Sequence, residues 1–396
     1  MTTGLRGGRA WATSALAALA LLVAPARAAA DSGAIRVALV ESARAVEVRG
    51  LEVELTLLAT ADGQEVARCE GCRGWSWRAD VVHARMQGPT LEVNGRLVGA
   101  GVRLRSEGPL RLNGREYLGL IDLVRHGEGV AVVNELPLED YLVGVLRAEA
   151  GEGWPGEMLR AQAVAARTYA AYQRGLSWGK PFHIIASTAH QGYAGRVAAT
   201  SPLWAAVRET AGQVLLWEGE LFPAFYHTES GGFTEDPRMV FAARNMPALK
   251  PVASPFSVGS PHYSWALDLR LADLSETLRR HGVAVGALRD VEVSERTPSL
   301  RAAAIVVRGS GGSARLRGND FRRMIGYDIL KSTLFAVAVD GEVVHFAGRG
   351  YGHGVGMCQW GAKGMAEQGY VAREILAFYY PGTAPGMLEL RARAAP

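Results

Sequence analysis

Leu136–Tyr172 reads LPLEDYLVGVLRAEAGEGWPGEMLRAQAVAARTYAAY. The stretch reads as two helices around a Trp154-Pro155 break. Pro137 suits the first turn of a helix, where its missing N–H leaves no bond unmade. Tyr141, Val145 and Ala148 recur at the i, i+4, i+7 spacing of an apolar stripe. That helix should stop near Gly151, because glycine closes helices and the residue before a proline avoids the α region. The second helix, from Gly156 to Arg174, is rich in alanine at positions 161, 163, 165, 166, 170 and 171, so another element can approach its backbone closely. A surface helix would alternate charges. Arg167 instead stands alone between Ala166 and Thr168, as a partly buried guanidinium in need of an anion would. Glu149, beside small residues at the end of the first helix, is a carboxylate placed for a cleft between the two. Spacing alone leaves two readings of it, a structural Glu149–Arg167 ion pair or a reactive acid.

A second long motif, GRGYGHGVGMCQWGAKGMAEQGY, runs from Gly348 to Tyr370. With the leucine–glutamate–aspartate–tyrosine run, the alanine–glutamate pair, the tryptophan–proline and the QAVAARTYA helix of the first, it resembles the signatures of the SpoIID/LytB family, the stage II sporulation protein D group. The resemblance covers Gly108 to Gly386, about two thirds of the chain. It implies a protein active on peptidoglycan, cleaving glycan strands as a lytic transglycosylase with one glutamate. The matching glutamate here is Glu149, and the family's functionally important arginine falls on Arg167. Other members of the family enhance cell-wall amidases, so the resemblance also admits a chain that binds glycan or an amidase and cuts nothing.

Residues 1–28 read as a secretory signal peptide: Arg6 and Arg9 precede an apolar run from Ala10 to Ala24, and Ala26-Arg27-Ala28 is a small-x-small cleavage site. The run is short and alanine-rich for a membrane span, and nothing later is long and apolar enough. An exported protein without a stable span is expected, in the periplasm or cell wall. The formal charge of +4 includes three arginines and no acid from that segment, so the remainder carries about +1. With no basic run or interleaved aromatics, nucleic acid is not expected as a partner. A near-neutral surface suits a carbohydrate polymer held by hydrogen bonds and stacking. Of the three cysteines, Cys69 and Cys72 form a lone CEGC, read as a local disulfide rather than half a zinc site. Cys358 reads as a buried, unreactive thiol.

From Ala34 to Asn134 apolar and polar residues alternate, with Asn-Gly turns at Asn94-Gly95 and Asn113-Gly114. The fold expected is α+β: a β-rich N-terminal module, 34–107, packed on a mixed core, 108–390, that holds the two-helix segment and the glycine-rich motif. The arginines of the β-rich part (Arg96, Arg103, Arg105, Arg111, Arg115) and Arg322 and Arg323 further on read as solvated faces.

A third stretch, AFYHTESGGFTE from Ala224 to Glu235, delivers His227 and Ser230 into a turn of two glycines. It lacks the first glycine of a Gly-x-Ser-x-Gly elbow, so Ser230 is not read as a nucleophile. The substrate wall is assigned instead to His227, Ser230 and Gly231, with His353 and Gln359 from the C-terminal motif and Tyr169 from the second helix. Glycine at 348, 350, 352, 354 and 356 has period two, unlike a dinucleotide loop. It bares one face of an extended segment, either for polymer or for tight packing against the two-helix segment. The segment Ser187–Tyr193 resembles one where some relatives bind zinc. His183 and His190 have no cysteine near them, so no metal and no cofactor are assigned.

Ordinary glycoside hydrolysis needs two carboxylates. No clear partner for Glu149 emerges among Glu139, Asp140, Glu152 and Glu157. Intramolecular attack by a sugar hydroxyl needs only one, which agrees with the resemblance. A close Arg167 would lower the pKa of a general acid, so Arg167 is expected to face substrate rather than Glu149.

Overall fold

The computed structural model describes residues 33–59, 77–241 and 246–388. The signal-peptide and Cys69–Cys72 readings lie outside the described residues. Within them the fold is α+β. Eleven strands form one sheet, whose main path runs from Ile184–Ile185 through Ala34–Ala43, Gly129–Pro137, Leu120–His126, Gly101–Arg105, Ala45–Leu58 and Trp77–Gln87 to Thr90–Val93 and Arg96–Val98. The hairpins follow from their turns: Asn94 and Gly95 have φ of 46° and 78°, Asn113 and Gly114 of 51° and 77°. Positive φ at both central residues matches the twist of the flanking strands. The sheet crosses residue 107 without a break, since Gly101–Leu104 pairs with Val124–Ile121. The 34–107 and 108–390 segments therefore share this sheet.

Helix α1 (Leu138–Glu149) follows directly on the strand ending at Pro137, and α2 (Gly156–Leu176) begins after Pro155. Both prolines stand just ahead of the first helical residue, where a fixed φ and a missing N–H do no harm. Tyr141, Leu142 and Val145 of α1 are buried, and α2 is buried from Ala161 to Ala171 on all faces, as its small residues permit. One apolar cluster joins Leu55 and Ile121 of the sheet, Leu142 and Val164 of the helices, and Ile375 and Tyr379 near the C-terminus. Truncating one such leucine to alanine costs about 2–5 kcal/mol, because the cavity refills poorly.

Residues between Trp265 and Phe346 build a second core, with Leu278, Ile305, Phe321 and Phe346 at its centre. Two three-stranded antiparallel sheets, Ser264–Arg270 with Val343–Arg349 and Phe335–Asp340, and Leu288–Arg296 with Ala302–Gly309 and Gly312–Arg317, enclose it. Two arginines read as solvated are buried instead. Arg103 lies 2.7 Å from Asp122, which also holds Arg36. Arg322 donates to the carbonyls of Leu330 and Tyr327. The acceptor of Arg103 comes from another strand, and those of Arg322 are backbone carbonyls of the loop after its helix, so neither marks the local side-chain pattern.

Candidate active site

Glu149 is the last residue of α1, and its carboxyl is held by neutral donors only. Oε1 accepts from the Gly192 backbone N–H at 2.6 Å, and Oε2 accepts from the Gln359 side-chain amide at 3.2 Å. Burial raises its pKa above the ordinary glutamate range, against the pull of those two hydrogen bonds. The negative end of the α1 dipole works in the same direction as burial. Among the described residues no cation offsets either effect, so the group holds its proton to higher pH than an ordinary glutamate, the direction a proton donor requires.

The loop that supplies Gly192 is fixed from behind. Buried Gln191 accepts from the Tyr141 hydroxyl at 3.0 Å and donates to the Ala166 carbonyl at 3.2 Å and the Tyr226 hydroxyl at 2.9 Å. Glycine at 192 permits this approach, since a Cβ there would lie 3.0 Å from both Glu149 Oε1 and the Ala148 Cβ. Of the two histidines here, His183 Nδ1 accepts from the Arg36 N–H and His190 Nδ1 from the Ile185 N–H. Trp154 and Trp360, both half-buried, meet edge to face at 5.3 Å.

Gln359 reaches Glu149 because the short strand Met357–Cys358 pairs in parallel with Tyr226–His227 and leads straight into the helix Gln359–Glu367. The glycine-rich run before it is not an extended floor. Gly350, Gly352, Gly354 and Gly356 all have positive φ, and the run coils against Phe225–Gly231. A Cβ on Gly356 would sit 2.0 Å from the Phe225 carbonyl oxygen, so internal packing explains the glycine there. Of the two readings of this motif, tight packing describes its geometry, and the packing partner is the Ala224–Glu235 stretch.

Several residues expected to touch substrate are engaged elsewhere. Arg167 is fully buried and does not face a groove; it forms a two-pronged pair with Glu139, at 2.9 and 2.6 Å, and donates to the Gln213 carbonyl at 3.1 Å. Glu139 and Arg167 each lie about three turns from the α1–α2 connection, so the arginine meets the start of α1 and not its end. The Glu149–Arg167 pair is therefore absent. Ser230 is 0% exposed, its Oγ accepting from the Gly232 N–H and its own N–H donating to Cys358 Sγ. Gly231 is buried beside it, its N–H on Glu229. His227 is 4% exposed, with Nδ1 donating to the Val355 carbonyl. Tyr169 is buried against Phe225 and His190. His353 is half-buried, and burial followed by nearby Arg322 pushes it down to about 3. It is neutral, with Nδ1 accepting from the Val355 N–H. Cys358 is buried as read, its Sγ accepting from two backbone N–H groups, and burial holds its thiol at about 12.

Of the residues singled out from sequence, the structure thus brings Glu149 and Gln359 together. The residues missed are Gln191, Gly192 and Tyr226. For Tyr226 a signal existed: side chains alternate along a strand, so Tyr226 faces opposite to His227.

The sequence profile described as Stage II sporulation protein matches residues 126–217, which contain α1, α2 and Glu149. A second profile, described as a domain of unknown function, matches residues 256–356, the part with its own core. An uncharacterised protein of Brachyspira hyodysenteriae is 32% identical over 290 residues, covering 71% of this chain and 75% of that protein. Stage II sporulation protein D of Bacillus amyloliquefaciens is 31% identical over 269 residues, 63% of this chain and 74% of its own length. An amidase enhancer of Bacillus subtilis is 31% identical over 324 residues, 69% of this chain and 44% of the longer relative. Similarity of this extent, over the segment that builds the carboxyl site, establishes that the chain belongs to the stage II sporulation protein D family.

Proposed function

We propose that the protein is exported and cleaves peptidoglycan glycan strands as a lytic transglycosylase, with Glu149 as its single acid and base. The observation that carries this reading is the environment of Glu149: a carboxyl raised by burial, held by an amide and a backbone N–H, with no second carboxylate on either donor. Such a group gives its proton to the glycosidic oxygen as the C1–O bond breaks. It then takes the proton of the C6 hydroxyl as that oxygen closes onto C1, leaving a 1,6-anhydro-N-acetylmuramyl end. The nucleophile belongs to the substrate, so no carboxylate is needed to activate water. Gly192 and Gln359 stay bonded through both steps, and their donors favour the carboxylate once the proton has left.

Incubating the full mature chain with purified sacculi, intact and stripped of stem peptides, tests this. Anhydro-ended fragments are the expected products, and reducing ends would point to a hydrolase. A second reading, in which the chain binds glycan and enhances an amidase without cutting, draws support from the relative named amidase enhancer. No fragments of either kind, together with faster peptide release by an added cell-wall amidase, would favour it. Among the described residues no helix is long and apolar enough to cross a membrane.

A further inference from the structure

Tyr226 stands out among the polar groups around Glu149, because its hydrogen bonding is half complete. Its hydroxyl oxygen accepts from Gln191 Nε2 at 2.9 Å, but among the described residues its own proton meets no acceptor. Tyr141, the other phenol near the carboxyl, has no such vacancy, since its proton goes to Gln191 Oε1. Both hydroxyls are bonded to Gln191, and the N–H of the next residue, Gly192, is bonded to Glu149, so one short loop joins both phenols to the carboxyl. Burial, and then the Glu149 charge, hold the Tyr226 phenol well above its ordinary value, so it cannot serve as a base.

The ring is also held unusually firmly for a residue on a two-residue strand. The Tyr226 backbone pairs with Met357, and its hydroxyl is oriented by Gln191. Gln191 is in turn anchored at Tyr141 and Ala166, and the residue after it supplies the N–H that holds Glu149. One loop thus sets two groups at once: the carboxyl that carries the proton and a hydroxyl with a proton to share.

We infer that Tyr226 is a second catalytic residue, donating a hydrogen bond to an oxygen of the N-acetylmuramyl unit whose glycosidic bond Glu149 protonates, with Gln191 as its positioning residue. This rests on the proposed reading of Glu149. In the reaction, the Glu149 proton passes to the glycosidic oxygen, which leaves with the C1–O electron pair. The C6 oxygen bonds to C1, and its proton returns to Glu149. Tyr226 keeps its own proton throughout and neutralises charge on the sugar oxygen it touches, a role for a fixed donor that needs no reorganisation.

The test is Tyr226→Phe in the full mature chain, assayed on purified glycan strands with Glu149→Gln alongside. The phenylalanine keeps the ring and its packing. Turnover is expected to fall roughly 10- to 100-fold, with a smaller change in KM, while the melting temperature drops by only a few degrees as Gln191 loses one acceptor. Full activity in Tyr226→Phe beside an inactive Glu149→Gln would overturn the inference and leave the proposed function standing. Full activity in Glu149→Gln, or none in the parent chain, would overturn both. Should Tyr226→Phe fail to fold, 3-fluorotyrosine at the same position preserves shape and makes the phenol a stronger donor. Its kcat should then change severalfold, and an unchanged kcat would refute the role.

Discussion

Glu139 and Glu149 open and close the same helix, yet they meet opposite surroundings. Glu139 receives the fork of a fully buried arginine, Arg167, and also the Gly212 N–H. Glu149 receives one backbone N–H and one amide, with no cation. The first arrangement locks a charge in place and ties α1 to α2. The second leaves a carboxyl whose burial is not offset, so it holds a proton at higher pH than a free side chain would. The two sites divide the labour of the helix pair: one end is structural, the other is chemically poised. The carboxyl proposed as catalytic differs from its structural neighbour by the charge it lacks beside it.

The contrast breaks most sharply under Glu149→Gln, which keeps shape and acceptor but cannot carry a proton. Turnover should fall by about 10²- to 10⁴-fold, read as anhydro-ended fragments per enzyme, while glycan binding in a sedimentation assay stays intact. Arg167→Ala attacks the other end. It leaves Glu139 and several carbonyls without their donor, so denaturant unfolding should show a loss of about 3–5 kcal/mol. Any enzyme that still folds should make the same product. Gln359→Leu comes next, with a severalfold loss of turnover. Removing a donor to the carboxylate raises the Glu149 pKa, and a general acid works only while protonated. The alkaline fall of the pH–rate profile should therefore move to higher pH; a shift the other way would contradict the assigned bond.

The smallest effect concerns stability. A carboxyl whose pKa is raised on folding destabilises the native state above its unfolded pKa, and the penalty disappears as pH falls through the folded value. Glu149→Gln should therefore be more stable than the parent at pH 7, by about 1 kcal/mol, with the margin closing in acid. Melting curves at several pH values would show it.

Much of this was legible because it is local. Pro137, Gly151 and Pro155 bracket α1 and α2 in the sequence as they do in space, and the two Asn-Gly turns carry the backbone angles their hairpins need. The candidate acid was legible too, as a lone glutamate beside small residues. What was not legible depends on distant partners. Gln359 lies 210 residues from Glu149, and Arg167 shows by its isolation that it needs an anion but not which one. The glycines of the C-terminal motif were read as baring a face, whereas their positive φ coils the chain against Phe225–Gly231. His227 turned out buried, and the neighbour on the opposite strand face, Tyr226, is the one bonded to Gln191.

Titrating the carboxyl itself tests the central claim most directly. Carbon-13 spectra of the full mature chain with labelled glutamate, compared with those of Glu149→Gln, isolate one resonance. That resonance should titrate above the ordinary glutamate value of 4.5. A midpoint at or below 4.5 would mean that the carboxyl is ionised wherever the enzyme works, and that Glu149 is no proton donor.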